Sequence, residues 1–272
     1  MRTFLALALL AAPADDFRLE GVPTQGGLVT GEAPAGAVSA VLRTPGAADV
    51  SVTLDRGRFL VGFDRDAPAN AELVARFADG RELRRPVVVA PRAWRIERVD
   101  APLRAGRTSA EFEAVRPGEL QRIAAARAAR TEATGWRERF RWPATGRVSG
   151  LFGSQRVYQG VPGSYHSGVD VALPTGAPVV APAGGVVVLA ADPARPFTLE
   201  GNLLLIDHGG GLSSAFLHLS RIHVREGQRV EAGQLVGEVG RSGRATGPHL
   251  HWGLRWRDAR LDPLLVAGPM PR

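Results

Sequence analysis

Glycine and proline interrupt this chain more strongly than any other feature of its sequence, and they limit the folds open to it. The 272 residues include 33 glycines and 20 prolines, which divide the chain into short apolar runs. Both residues are unfavourable inside helices, whereas glycine and proline favour the tight turns that join strands. The sequence therefore predicts a mainly β fold.

The sequence after residue 14 has the pattern of a series of short strands. Turn signals such as Asp79-Gly80 separate runs rich in β-branched and aromatic residues. These runs lie at residues 38–42, 50–54, 58–63, 72–77 and 85–89. Their spacing predicts a small β-sandwich over residues 15–92. This segment contains no histidine, so we expect a spacer, docking or folding role for it.

Residues 1–14 have the composition of a secretory signal peptide. Arg2 precedes an apolar run that ends in Ala12-Pro13-Ala14, small residues of the kind that precede a cleavage site. The alternative is a buried N-terminal segment. The apolar run is too short to span a bilayer. We therefore expect an exported protein of the periplasm or cell envelope that is not an integral membrane protein after cleavage.

Residues 93–142 are predicted to form a linker that contains one helix. An Ala-rich segment follows Pro117 and ends before Gly135, which places proline near the helix start and glycine near its end. Leu120, Ile123 and Ala124 form a narrow apolar stripe, as in a docked connector. We expect this linker, or the N-terminal domain, to pack near the functional site of the chain and limit access to it.

All six histidines lie within residues 143–265, where chemistry is therefore expected. Glycine-rich turns there separate predicted strands at residues 177–182, 185–190, 202–208, 213–220 and 233–240. Residues 266–272 form a short tail. Because the chain has no cysteine, a metal site would have to use histidine and carboxylate ligands.

The chain is basic, with a formal net charge of +7, and all of its cationic residues are arginine. The arginines are scattered, which favours a solvated surface over a patch that attracts a polyanion. No nucleic-acid-binding motif is present, so we expect no nucleic-acid partner.

Two histidines flank Leu250 in the segment from Gly247 to Trp252. In a strand, His249 and His251 would project from the same face. A further pair, His166 and Asp170, lies four residues apart around Gly168, where glycine permits a close backbone approach.

Two histidines and one carboxylate can hold a catalytic zinc ion with a fourth position left for water. His166, Asp170 and His251 are the predicted metal ligands. His249 would then take the proton of the water, and His218 would donate to the oxyanion or the leaving amine. The same ligand types also occur in non-haem iron(II) oxygenases, and metal analysis would decide between the two.

Five segments in order resemble the lysostaphin-type (LytM) zinc metallopeptidases. They are His166-Ser167-Gly168-Val169-Asp170, residues 174–179, Asp207-His208-Gly209, His218-Leu219-Ser220 and Gly247-Pro248-His249-Leu250-His251. The resemblance implies a Gly-rich antiparallel β domain with a zinc groove, and hydrolysis of peptide bonds in peptidoglycan cross-links or stem peptides. It implies the same roles, with His166, Asp170 and His251 as ligands and His218 and His249 as catalytic residues.

Some members of that family have lost ligands and act as non-enzymatic activators of other wall hydrolases. This remains the alternative here, although all five positions are filled, and a regulatory protein partner is possible. One departure is Phe216, which stands where many members have a tyrosine whose hydroxyl could touch substrate. His208 is expected to be structural and His223 exposed.

Overall fold

The chain folds mainly into antiparallel β-sheets, and its computed structural model describes residues 15–103 and 109–271. The predicted signal segment, residues 1–14, lies outside the described residues. Within them, no helix is long and apolar enough to cross a membrane. The mainly β fold predicted from the glycine and proline content is confirmed.

Two small antiparallel sheets form the N-terminal lobe. Their strands are β1 (Arg18–Glu20), β2 (Leu28–Glu32), β3 (Ala37–Arg43), β4 (Val50–Val52), β5 (Arg58–Gly62), β6 (Asn70–Phe77) and β7 (Glu82–Val88). The sheet orders are β1-β2-β5 and β4-β3-β6-β7. Phe59 from the first sheet and Leu73 from the second are fully buried in one core. The predicted β-sandwich is confirmed, and the five predicted runs correspond to β3 through β7.

An eight-stranded antiparallel sheet dominates the C-terminal lobe. The linker and this lobe contain β8 (Ile96–Val99), α1 (Ala110–Ala128), β9 (Arg147–Gly150), β10 (Gln155–Tyr158), β11 (Val161–Pro162), β12 (Val169–Ala172), β13 (Pro178–Val180), β14 (Gly185–Ala190), β15 (Asn202–Gly209), β16 (Leu212–Leu219), β17 (Arg221–Ile222), β18 (Arg229–Val230), β19 (Leu235–Glu238), β20 (His249–Trp256), β21 (Ala259–Leu261) and α2 (Pro263–Ala267). A 3-10 turn, Gly135–Arg137, also occurs. The large sheet has the order β18-β14-β15-β16-β20-β12-β9, and β21 pairs with β20.

Strand β15 is buried along its whole length, which explains its continuous apolar run. Alternate side chains of a strand point to opposite faces of the sheet. Leu203 and Leu205 therefore pack in one cluster with Ile123 of α1, while Leu204 and Ile206 enter the main core. Helix α1 thus covers one face of the central sheet.

The predicted start of helix α1 was wrong. The helix begins at Ala110, and Pro117 lies inside it. Ser109 caps the helix, since its hydroxyl oxygen accepts a hydrogen bond from the Phe112 N–H at 3.1 Å. The predicted apolar stripe is also narrower than expected, because only Ile123 is buried. Tertiary contacts hold a helix whose internal proline costs it a backbone hydrogen bond.

The two lobes share one continuous hydrophobic core. A side chain at Gly62 of β5 would meet Leu261 at 2.8 Å and Trp256 at 2.9 Å, so this close approach requires glycine. Nearby, the buried Arg65 donates hydrogen bonds to the Gly153 carbonyl at 3.1 Å and the Gln155 amide oxygen at 3.0 Å. The domain boundaries at residues 92 and 142 stay a prediction.

A buried histidine connects the strands of the central sheet. The Nδ1–H of His208 donates to the Gly184 carbonyl at 2.8 Å, and its Nε2 accepts from the Ser214 hydroxyl at 2.8 Å. The indole N–H of Trp252 donates to the same Ser214 oxygen at 3.3 Å. Burial lowers the pKa of His208 to about 4, because desolvation disfavours the charged ring and outweighs the hydrogen bond to Gly184.

We expect the free energy of unfolding to decrease as the pH falls from about 6.5 to about 4. In that range the unfolded chain binds a proton at residue 208 that the folded chain excludes. The stability advantage of the wild type over His208→Gln should shrink by roughly 3 kcal/mol across this window. Urea titrations at several pH values measure it, with the exposed His223→Gln as control. A pH-independent difference would show that His208 does not titrate in this way.

Candidate metal and catalytic site

Three of the predicted side chains converge at one end of the large sheet. The Nε2 of His166 lies 3.0 Å from the Asp170 Oδ1 and 3.0 Å from the His251 Nδ1, and the last two atoms are 2.9 Å apart. Within the described residues, this is the one group of three or more histidines and carboxylates close enough to share a metal ion.

Strand pairing brings these residues together. Strands β12 and β20 are antiparallel neighbours, and their register sets Asp170 opposite His251 and Ala172 opposite His249. Gly168 allows the chain to pass close to the site, since a Cβ there would lie 2.7 Å from the His251 Nε2. Gly150 of β9 likewise leaves room for the Asp170 carboxylate. Gly168 therefore permits the close approach of the backbone to the site that the sequence predicted for it.

The hydrogen bonds around His166 direct a lone pair into the cluster. Its Nδ1 lies 3.1 Å from the Leu151 carbonyl oxygen, which can only accept, so Nδ1 carries the proton of the neutral ring. In that neutral form, the Nε2 of His166 has no proton to donate to Asp170 or His251. Burial lowers the pKa of His166, but its contacts with Asp170 outweigh burial and raise that pKa. With the His251 Nδ1 also unprotonated, three electron-pair donors would face one another at about 3 Å, which a shared cation would stabilise. Tetrahedral zinc with bonds of about 2.0–2.1 Å would set its ligands at nearly this spacing.

The ionisation of the cluster suits a cationic ligand. Burial raises the pKa of the Asp170 carboxyl, but its contacts with His166 and His251 outweigh burial and hold that pKa well below its usual range. Burial lowers the pKa of His251, and this effect exceeds the opposing effect of Asp170. At neutral pH the carboxylate is therefore charged and the His251 ring is neutral, as metal ligation requires.

Two further histidines lie beside the cluster. The Nε2 of His249 is 3.9 Å from the Asp170 Oδ1, and the ring centroids of His218 and His249 are 4.8 Å apart. The Nδ1–H of His249 donates to the Gly247 carbonyl, and that of His218 to the Ser242 carbonyl, each at 2.9 Å. In its neutral form, each ring therefore keeps an unprotonated Nε2 that can accept a proton. All five predicted site residues are thus in one place.

His218 adopts a backbone conformation that is rare for a side chain with a Cβ. Its φ is 64°, in the left-handed region, where a non-glycine residue is disfavoured. Its backbone N–H donates to the Glu200 carbonyl at 2.9 Å. The Glu200 carboxylate in turn accepts two hydrogen bonds from Arg116 of α1, at 2.7 and 2.8 Å. Strained backbone of this kind occurs often at functional sites.

Helix α1 forms one wall of a cavity that reaches the cluster. The cavity is lined by Leu120, Ile123 and other side chains of α1, and by His251 on the opposite wall. This is the location expected for the linker, although its effect on access stays a prediction. Phe216, which stands where many members of the family have a tyrosine, is fully buried and does not line this cavity.

The remaining two histidines lie apart from the cluster. His208 is fully buried within the sheet, as its structural assignment requires, and His223 is exposed and paired with Glu238 at 3.0 Å. The backbone carbonyls of Leu151, Ser242 and Gly247, which set the proton positions of the site, were missed in the sequence. A main-chain carbonyl carries no residue-type signal, and only a family pattern around Phe152-Gly153 could have indicated the first of them.

Comparison with known proteins identifies the class to which this fold and site belong. Residues 164–263 match the model of Peptidase family M23. A crystal structure of a Pseudomonas aeruginosa protein assigned to peptidase M23 is 30% identical, with a TM-score of 0.67, and the alignment covers 91% of this chain and 96% of that one. The chain therefore belongs to peptidase family M23.

Two curated relatives match part of this chain. Peptidoglycan DD-endopeptidase ShyA of Vibrio cholerae is 41% identical over 105 residues, which are 39% of this chain and 24% of the relative. DD-carboxypeptidase/endopeptidase Mpg of Neisseria meningitidis is 39% identical over 106 residues, again 39% of this chain and 24% of the relative. The match thus spans about a quarter of the length of these relatives.

Proposed function

We propose that this chain is an exported zinc metalloendopeptidase that hydrolyses peptide bonds in peptidoglycan cross-links or stem peptides. The observation that carries the proposal is the convergence of His166, Asp170 and His251, whose potential ligand atoms lie within 3.0 Å of one another. The name of the relative ShyA, a peptidoglycan DD-endopeptidase, supports peptidoglycan as the substrate. The terminal sequence, residues 1–14, supports export.

In this proposal, His166, Asp170 and His251 hold the zinc ion. When bound there, zinc supplies a Lewis acid that polarises the scissile carbonyl and acidifies the attacking water. The zinc proposal also rests on the donor set, since nitrogen and carboxylate ligands with no thiolate suit a catalytic zinc site.

His249 and His218, the two histidines beside the ligand cluster and hereafter the outer histidines, transfer the protons of the reaction. His249 accepts a proton from the attacking water at Nε2, while its Nδ1–H stays bound to the Gly247 carbonyl. His218 starts neutral, since burial lowers its pKa, and it donates to the oxyanion or the leaving amine only after it has gained a proton. His249 passes the proton of the water to the neighbouring His218, whose ring centroid is 4.8 Å away, and His218 gives it to the amine nitrogen when the C–N bond breaks.

Digestion of purified peptidoglycan tests this function. The chain without residues 1–14 should release peptide fragments, and a chelator should stop the release, since the ligands alone cannot activate water. Mass analysis of the fragments identifies the bond. A chain that binds peptidoglycan but releases no fragment after zinc is added would contradict the proposal and favour the non-enzymatic activator.

A further inference from the structure

A strongly basic cavity lies between α1 and the sheet face that carries His251. Its volume is about 300 Å³. Four arginines line it against a single carboxylate; the charged lining residues are Arg116, Arg127, Arg255, Arg260 and Glu200. Because the cavity includes His251, a ligand bound in it would lie beside the candidate metal site.

The single carboxylate of the lining is already paired. Arg116 makes two hydrogen bonds to Glu200 and one to Glu119, at 2.9 Å, so this group fixes α1 against the sheet. Glu119 in turn accepts from the backbone N–H of Thr198 at 2.6 Å. This set of contacts leaves no carboxylate of the lining to neutralise the other three arginines.

The guanidinium of Arg127 makes no hydrogen bond or ion pair with the residues that the structure describes. Desolvation by the surrounding protein and repulsion from Arg255 lower the pKa of Arg127 to about 10, so it remains charged at neutral pH. The residue is exposed to solvent where it borders the cavity. Arg260 has no carboxylate partner on its side chain, which donates to the Tyr165 hydroxyl at 3.2 Å. The partner of Arg255 is Asp258, which is fully exposed.

We propose that this cavity is a specificity subsite that binds a carboxylate group of the peptide substrate, with Arg127 as its principal contact. An unpaired guanidinium beside two like charges gains from an anion, and its planar fork matches a carboxylate in a bidentate pair. The proposal rests on the proposed function for the nature of the substrate. It adds that the enzyme selects peptides with a free carboxylate near the bond that it cuts.

A matched pair of peptides tests the subsite with the full chain. The probes are a fluorescently labelled cross-link peptide excised from peptidoglycan with its carboxylates free, and the same peptide after amidation of those carboxylates. Wild-type protein should favour the free form by about tenfold in kcat/KM. Arg127→Gln should remove this preference through a higher KM, and Arg127→Lys should restore part of it. Arg122→Gln, which changes an arginine of the same helix outside the cavity, should keep it.

Binding measured without turnover separates this inference from the proposed function. The anisotropy of both peptides is followed with metal-depleted protein, for the wild type, Arg127→Gln and Arg255→Gln. Tighter binding of the free form by the wild type, lost in the variants, supports the subsite even if neither peptide is cut. Equal binding of both forms by the wild type, or a preference that survives in Arg127→Gln, overturns it even if both peptides are cut.

Discussion

Replacement of Asp170 by asparagine is expected to remove metal binding and peptidoglycan hydrolysis together. The carboxylate contacts both ligand histidines, at 3.0 and 2.9 Å, and supplies the only negative charge of the proposed ligand set. The amide has the same shape but no charge, so the loss isolates the electrostatic contribution. We expect a fall of about a thousandfold or more in hydrolysis, because metal activation of water is lost. Metal content by mass spectrometry and release of fragments are the two measurements.

Asp192→Asn is the matched control for this variant. Asp192 is exposed and accepts a hydrogen bond from the Ala194 N–H in a surface turn, so the same chemical change there should leave both measurements unaltered. If Asp170→Asn keeps a full complement of metal, Asp170 is not a ligand. If it loses metal but still hydrolyses, the reaction does not need the ion.

The second large effect is expected at the outer histidines, where activity should fall while metal binding remains. His249→Ala removes the Nε2 that lies 3.9 Å from Asp170, and His218→Ala removes the neighbouring ring. Loss of a general acid or base costs typically about 10²–10⁴-fold in rate. Each single variant should lie in this range, and the double variant should be little worse, because the two rings act in one proton transfer.

The comparison of metal content between the two sets of variants decides the assignment. His249→Ala and His218→Ala should retain zinc, whereas His251→Ala should lose it. Zinc loss in His249→Ala would make His249 a ligand. If a chain with both His249→Ala and His218→Ala keeps its full function at the cell wall in living cells, the activator role would be favoured.

The sequence predicted the site better than it predicted the surroundings of the site. The placement of His249 and His251 on one face could be predicted from the alternation of side chains along a strand alone. Strand β20 indeed directs both histidines to one face, around the buried Leu250. The pairing of His251 with Asp170 needed one further element, the family pattern of five segments in order. Both signals can be recognised in the sequence itself, so the prediction of the site did not need the tertiary structure.

Helix α1 shows why the surroundings were less accessible. Propensity set its start near Pro117, whereas Ser109 capping and the Arg116–Glu200 pair hold a helix that starts seven residues before the proline. Arg116 and Glu200 are distant in sequence, so no local pattern connects them. The arginines of the basic cavity come from α1, β20 and β21, and along the chain they are indistinguishable from the scattered surface arginines.

Zinc titration of the metal-free chain tests the central claim most directly. Protein without residues 1–14 is stripped with chelator and supplied with increasing zinc, while bound metal and release of fragments from purified peptidoglycan are measured on the same samples. The site formed by His166, Asp170 and His251 predicts no release without metal, and release that rises in proportion to bound zinc up to about one ion per chain. Full release by the metal-free protein would contradict it.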